Sequence, residues 1–155
     1  MDLTAELAAI IDALDAAGIP YALCGGLAVA IYGYPRFTRD IDLLVREESL
    51  QQLLKKVDRL GFNLEGGRLP MGAGEKHPLD IVRISKAQGR DLLTLDLILV
   101  SVPLEPVWAS KVRVPWKSRN LWVVSKDGLI TMKRIAGRRQ DLLDIENLEA
   151  ADDTE

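Results

Sequence analysis

Cysteine and histidine are almost missing from this chain of 155 residues, where Cys24 and His77 each stand alone. A single cysteine excludes an internal disulfide and a cysteine-based zinc site, and a single histidine excludes a histidine-based metal cluster. No apolar run reaches the ~18 residues that a membrane span requires. Basic residues are missing ahead of Arg36, while Asp2 and Glu6 are acidic, which is the wrong charge pattern for a secretory signal or transit peptide. The expected setting is the cytoplasm, with no membrane partner. Two familiar catalytic signatures are missing too. There is no Gly-x-Ser-x-Gly nucleophile elbow. The stretch Gly67-Arg68-Leu69-Pro70-Met71-Gly72-Ala73 has the first spacing of a phosphate loop but lacks the Lys-Ser/Thr that must follow.

What is present supports a packed core. Hydrophobic residues make up 48% of the chain, enough for one domain over residues 1–150, with 151–155 expected to fray. The net charge of −3 conceals an uneven spread. Nine Lys or Arg stand between Ser110 and Gln140 against one acid, Asp127, and seven acids without a base run from Asp141 to Glu155. A focused phosphate site and a solvated basic helix beside an acidic tail both fit that pattern. Trp108, Trp116 and Trp122 lie in or near the basic stretch, where packing or a dimer surface is the ordinary use and stacking on a base the functional one.

Periodicity places the elements. Apolar residues at helical spacing predict a helix over Leu3–Ala17, closed by Gly18, and another over Glu48–Leu60. Pro20–Cys24 reads as a short strand, followed by Gly25-Gly26 and a helical pattern over Leu27–Tyr32. Arg36–Asp40 reads as a loop and Asp40–Val45 as a strand. Gly61–His77, rich in glycine, is expected to hold a short strand at Phe62–Leu64 and then a mobile loop. Leu79–Ile84 and Asp91–Val100 read as a hairpin around a Lys86–Gly89 turn. A short helix over Pro103–Ser110 and strands at Lys111–Val114 and Asn120–Val124 follow. Helices are then expected over Lys126–Arg139, capped by Ser125, and over Gln140–Ala150. The order predicts an α/β (α+β) fold, a mixed sheet with packed helices and a C-terminal helical segment.

Three aspartates break the apolar pattern. Asp40 and Asp42 alternate with Ile41 and Leu43, so the strand period of two puts both carboxylates on one face. Asp96 sits inside Leu92-Leu93-Thr94-Leu95-Asp96-Leu97-Ile98-Leu99-Val100. Carboxylates in such surroundings need a cation or hydrogen bonds to offset lost hydration, and paired oxygen ligands suit Mg²⁺. Taken alone, Asp-x-Asp fits an exposed edge strand as well as a metal site. Gly25-Gly26 between a strand and a helix fits a plain turn as well as a phosphate cradle.

In combination these pieces resemble the nucleotidyltransferase superfamily with the DNA polymerase beta-like fold. The residues that carry the resemblance are Leu23-Cys24-Gly25-Gly26-Leu27-Ala28-Val29-Ala30, then Arg36-Phe37-Thr38-Arg39-Asp40-Ile41-Asp42-Leu43, then Leu95-Asp96-Leu97. The segment from Asp127 through Lys133 to Ile145 is similar to the helical segment of small bacterial transferases in abortive-infection toxin–antitoxin systems. The resemblance implies an enzyme that moves a nucleotide from a nucleoside triphosphate to an acceptor hydroxyl with Mg²⁺, two ions being possible. It implies Asp40, Asp42 and Asp96 as metal-holding, catalytic residues. Gly25, Gly26, Arg39, Lys133 and Asp141 would be the nucleotide-binding ones. Gly-Gly stands where the family commonly has Gly-Ser, so a serine contact to phosphate is missing. The acceptor is left open among tRNA, a protein and a small molecule. The partner is left open between an antitoxin or toxin and a second copy of the chain, and the alternative to turnover is a non-catalytic nucleotide-binding or interaction protein on the same fold.

Overall fold

Asp2 starts the first helix: its carboxylate accepts the backbone N–H of Thr4 at 3.0 Å and of Ala5 at 3.3 Å. These bonds satisfy donors that the first helical turn leaves without partners. The helix, α1 (Leu3–Ala17), buries Leu7, Ile10, Ile11 and Leu14 as one stripe and ends at Gly18, whose φ of +67° favours a residue without a Cβ. The computed structural model describes residues 1–35, 37–71 and 79–153. Arg36 and His77, with the rest of 72–78 and the last two residues of the expected frayed tail, lie outside the described residues.

Beyond α1 the described elements are β1 (Ala22–Cys24), α2 (Gly25–Ile31), β2 (Asp40–Val45), α3 (Leu50–Asp58), β3 (Leu64–Met71), β4 (Leu79–Gln88) and β5 (Asp91–Leu99). They continue with α4 (Glu105–Ala109), β6 (Val112–Trp116), β7 (Arg119–Val123), α5 (Lys126–Ala136) and α6 (Arg139–Asp153). Among the described residues the strands form one seven-stranded mixed sheet in the order β3-β4-β5-β2-β1-β7-β6. β2 runs parallel to β5, and β1 parallel to β7; the other neighbours are antiparallel. The α/β fold with a mixed sheet, packed helices and a C-terminal helical segment is therefore as expected.

The centre of the sheet is its most apolar part, because β2 and β5 have neighbours on both edges. Ile41, Leu43, Leu95 and Leu97 are fully buried, each contributing about 1.5–3 kcal/mol relative to exposure. The same alternation puts Asp40, Asp42 and Asp96 on the opposite face. Lys86 of β4, which follows the parity of Val82 and Ile84, bonds Glu6 of α1 at 2.7 Å, so α1 lies on the face away from the aspartates. α5 and α6 stand on the aspartate side.

Several boundaries differ from expectation. The glycine-rich stretch is not a loop up to Met71: Leu64–Met71 is a full strand. Its glycines absorb a bulge between Glu65 and Gly67 instead of ending the pairing. The β4–β5 hairpin is present, but its ladder extends to the Gln88–Asp91 pair. The turn is at Gly89, φ +62°, because Lys86 is held in the ladder opposite Leu93 and by Glu6. α2 begins at Gly25, directly after β1. Leu50–Asp58 is the α-helical part of the expected Glu48–Leu60 helix, with a 3-10 turn over Glu47–Ser49 before it. α5 stops at Ala136 since Gly137 turns left-handed at φ +64°, and α6 is helical through Asp153.

Candidate active site

Register brings two of the three aspartates together. In the parallel β2–β5 pair Asp42 lies opposite Asp96 and Asp40 opposite Thr94. β1 flanks β2 on the other edge, with Cys24 opposite Asp42, so the chain turns into α2 directly beside the Asp42 carboxylate. Gly25 is what permits this. A Cβ there would lie 2.0 Å from Asp42 Oδ2 and 2.6 Å from Cγ, and the φ of +69° disfavours any other residue.

A cleft of about 210 Å³ opens over these residues. Its lining includes Gly25, Gly26, Asp40, Asp42, Asp96, Lys133 and Asp141, seven of the eight residues expected in the site. Arg39 is the exception. It is half exposed and faces Asp91 at 3.5 Å, and it does not line the cleft. Thr38, Arg83, Arg138 and Gln140 line it without having been expected.

The charges are unevenly compensated. Burial, then the negative charges of Asp96 and Asp40, push the Asp42 carboxyl up to about 7, against the pull of Lys133 and Arg138. Asp96 is 5% exposed, and both its oxygens are taken by one guanidinium: Arg83 Nε donates to Oδ1 at 2.8 Å and a terminal nitrogen to Oδ2 at 3.0 Å. Across the cleft, Lys133 Nζ lies 3.2 Å from Asp141 Oδ1 and 3.0 Å from Asp144 Oδ2. Burial works to raise the Asp141 carboxyl, but the hydrogen bonds from Arg138 and the charge of Lys133 outweigh it and hold it below the usual range. Asp141 therefore orients Lys133 and Arg138 and pins the α5–α6 turn. Lys133, held by both carboxylates, also lines the cleft.

The donor set is all oxygen, with two carboxylates on one strand face, a close-approach glycine beside them and an Asp42 that negative neighbours crowd. Mg²⁺ is usually held by one or two carboxylates together with substrate phosphates and water, and Asp40 with Asp42 fits that description. Among the described residues no three carboxylate, cysteine or histidine groups converge on one point as a metal cage.

The family model for aminoglycoside-2''-adenylyltransferase matches residues 6–85, just over half of the chain. The chain belongs to this family. It is thus an enzyme of the nucleotidyltransferase superfamily. No curated protein matches it significantly. Solved structures agree on the fold. ANT(2'')-Ia in complex with adenylyl-2''-tobramycin superposes with a TM-score of 0.58 at 16% identity, over 97% of this chain and 95% of that one. A nucleotidyltransferase candidate from Thermotoga maritima gives 0.57 at 16% identity, over 96% and 87%. JHP933 of Helicobacter pylori gives 0.53 at 19% identity, over 94% and 64%.

Arg83 is the most informative residue that sequence reasoning passed over. Its signal was an arginine inside Ile81-Val82-Arg83-Ile84, but its partner depends on where the hairpin turns. With the turn at Gly89, Arg83 falls opposite Asp96; with a Lys86–Gly89 turn the pairing is not visible. Asp144 was also passed over, although Asp141 and Asp144 share a helix face three residues apart. Of the tryptophans, Trp108 is buried, while Trp116 and Trp122 are half-buried. Lys111 lies 4.1 Å from the Trp108 ring centroid and Arg113 4.9 Å from that of Trp122, so cationic side chains already cover these rings.

Proposed function

We propose that the chain, acting as one catalytic unit over residues 1–150 in the cytoplasm, transfers a nucleotide from a Mg²⁺-bound nucleoside triphosphate to a hydroxyl of an aminoglycoside-like, polycationic sugar. The observation that carries the proposal is the gathering of Gly25, Asp40, Asp42, Asp96 and Lys133 around one cleft. The acceptor class is supported by the family match and by the adenylylated tobramycin in the ANT(2'')-Ia structure. An acid-lined cleft also suits a cationic acceptor.

Asp40 and Asp42 would hold Mg²⁺, which supplies charge neutralisation at the phosphates when bound. Lys133 and Arg138 face the same space from the α5–α6 side and meet the triphosphate oxygens. Gly25 and Gly26 keep the floor clear of side chains, so phosphate can approach the backbone. The cleft is too small to enclose a nucleoside triphosphate, so the nucleoside and the acceptor lie across its rim. The acceptor oxygen bonds to the α-phosphorus while the bond to the bridging oxygen breaks. Pyrophosphate departs with that electron pair. The hydroxyl proton passes to Asp96, which keeps lone pairs beyond those the Arg83 fork occupies.

The test uses α-labelled ATP, GTP, CTP and UTP with Mg²⁺, offered tobramycin, tRNA and a protein mixture in separate reactions. Label on tobramycin with pyrophosphate release, lost in Asp42→Ala, is the expected result. Label on tRNA or on a protein instead would move the acceptor to the class of toxin–antitoxin enzymes. Absence of both transfer and Mg²⁺-dependent triphosphate binding would overturn the catalytic reading.

A further inference from the structure

Gln140 lines the cleft from the first turn of α6, and its side-chain amide is held in one orientation. Nε2 donates to Asp144 Oδ1 at 2.9 Å, and Asp144 is fully buried. An ionised carboxylate only accepts hydrogen bonds. Turning the amide over would set its oxygen against that carboxylate, so the nitrogen stays on Asp144. Among the described residues no group donates to the Gln140 oxygen.

The same carboxylate holds a second cleft residue. Asp144 Oδ2 lies 3.0 Å from Lys133 Nζ, so one side chain sets the spacing between the ammonium and the amide. Lys133 is 4% exposed, whereas Gln140 is an exposed residue of the rim. A triphosphate met by Lys133 therefore presents its nucleoside, outward of the phosphates, to Gln140.

An amide nitrogen has two hydrogens, so one N–H remains beside the oxygen. An acceptor with a donor beside it matches the amino group and ring nitrogen of adenine, and cytosine presents the same pair. Hypoxanthine and uracil present it reversed, a carbonyl oxygen beside a ring N–H. A glutamine that rotates freely serves both kinds of base. One anchored to a buried carboxylate serves a single kind.

We propose that Gln140 is a specificity-determining residue. It reads the amino group of the nucleobase with its carbonyl oxygen, in an orientation fixed by Asp144, and the chain selects ATP and CTP over inosine triphosphate and UTP. The inference rests on the nucleotidyl-transfer reading and names the class of base that the site takes.

The test is a competition titration of the whole chain with Mg²⁺ and no acceptor, in which each triphosphate displaces a fluorescent one. Wild type binds ATP more tightly than inosine triphosphate, and CTP more tightly than UTP, by at least about fivefold, the lower end of what a bidentate pair is worth. Gln140→Met, which removes both polar groups from an exposed position, binds the members of each pair alike. Asp144→Asn, whose amide both donates and accepts, lets Gln140 turn, and the preference narrows there too. Thermal melting identifies loss of fold, and if Asp144→Asn does not fold, Gln140→Met decides. A wild type without preference, a Gln140→Met that keeps it, or a folded Asp144→Asn that keeps it in full would overturn the inference while triphosphate binding stands. So would a preference for ATP over 2′-deoxy-ATP that vanishes in Gln140→Met, since the amide would then read the ribose. If no triphosphate binds the wild type, the nucleotidyl-transfer reading falls and the inference with it.

Discussion

Gly25→Ala separates the geometry of the site from the general stability of the chain. The substitution has two costs. A left-handed φ, here +69°, costs an L-residue roughly 1–2 kcal/mol. The new methyl would also sit well inside contact distance of the Asp42 carboxylate, and driving that side chain off its rotamer adds about 0.5–1.5 kcal/mol. The total is roughly 1.5–3.5 kcal/mol, which for a domain of this size lowers Tm by about 3–14 °C. Gly18→Ala and Gly89→Ala isolate the first cost. Their φ values are +67° and +62°, and a Cβ at either would meet nothing within 4 Å. All three variants are to be compared by thermal melting and by fluorescence titration with a labelled triphosphate in the presence of Mg²⁺. The two controls lose stability but bind as the wild type does. Gly25→Ala loses more and binds more than about tenfold more weakly, because the carboxylate it displaces is one of the pair proposed to hold the metal. A Gly25→Ala protein that melts with the controls and binds like the wild type would refute the close approach on which the site is built.

Two further expectations concern charge. Since burial and its carboxylate neighbours raise Asp42 to about 7, the folded state binds a proton more tightly there than the unfolded chain. Ionising Asp42 therefore costs stability that is absent at pH 4 and grows as pH rises to 7. Asp42→Asn should melt several degrees above wild type at pH 8 in metal-free buffer, with the gap closing toward pH 4; an equal gap at both pH values would contradict the assignment. Lys133→Met leaves Asp141 and Asp144 buried, at 1% and 0% exposure, without their ammonium. Breaking a buried pair costs about 3–5 kcal/mol, toward the low end here because Arg138 remains on Asp141, and urea denaturation measures it. Restoration of stability by the further changes Asp141→Leu and Asp144→Leu would show that the loss comes from uncompensated charge.

The apolar alternation around Asp40, Asp42 and Asp96 was legible because a period of two is a property of the strand alone, and so was the Gly25 turn. Helix ends at Gly18 and Ser125 could be read from local chemistry for the same reason. What could not be read depended on pairing. Arg83 becomes a partner of Asp96 only when the hairpin register is fixed, and that register hangs on one residue, Gly89. The strand at Leu64–Met71 was hidden because Gly66 and Gly67 look like breakers, whereas in the sheet they make room for a bulge and for an arginine from the neighbouring strand. Lys133 was expected to bind nucleotide from the resemblance alone; its burial between two aspartates of the following helix is a tertiary fact without a local signature. Arg39 was expected at the nucleotide from the resemblance alone; it precedes β2, faces Asp91 and does not line the cleft.

The sheet order has a consequence for how the protein comes into being. β2 reaches its parallel neighbour β5 only after a helix and an intervening hairpin have been made, and β1 reaches β7 only when most of the chain has been synthesised. Contacts this distant in sequence form late, after loop-closure entropy has been overcome. A nascent chain carries Asp42 long before Lys133 and Arg138, the cations whose charge acts on it, have been made. The cleft between β2, β5 and the α5–α6 turn is therefore complete only once elements from both ends of the chain have come together.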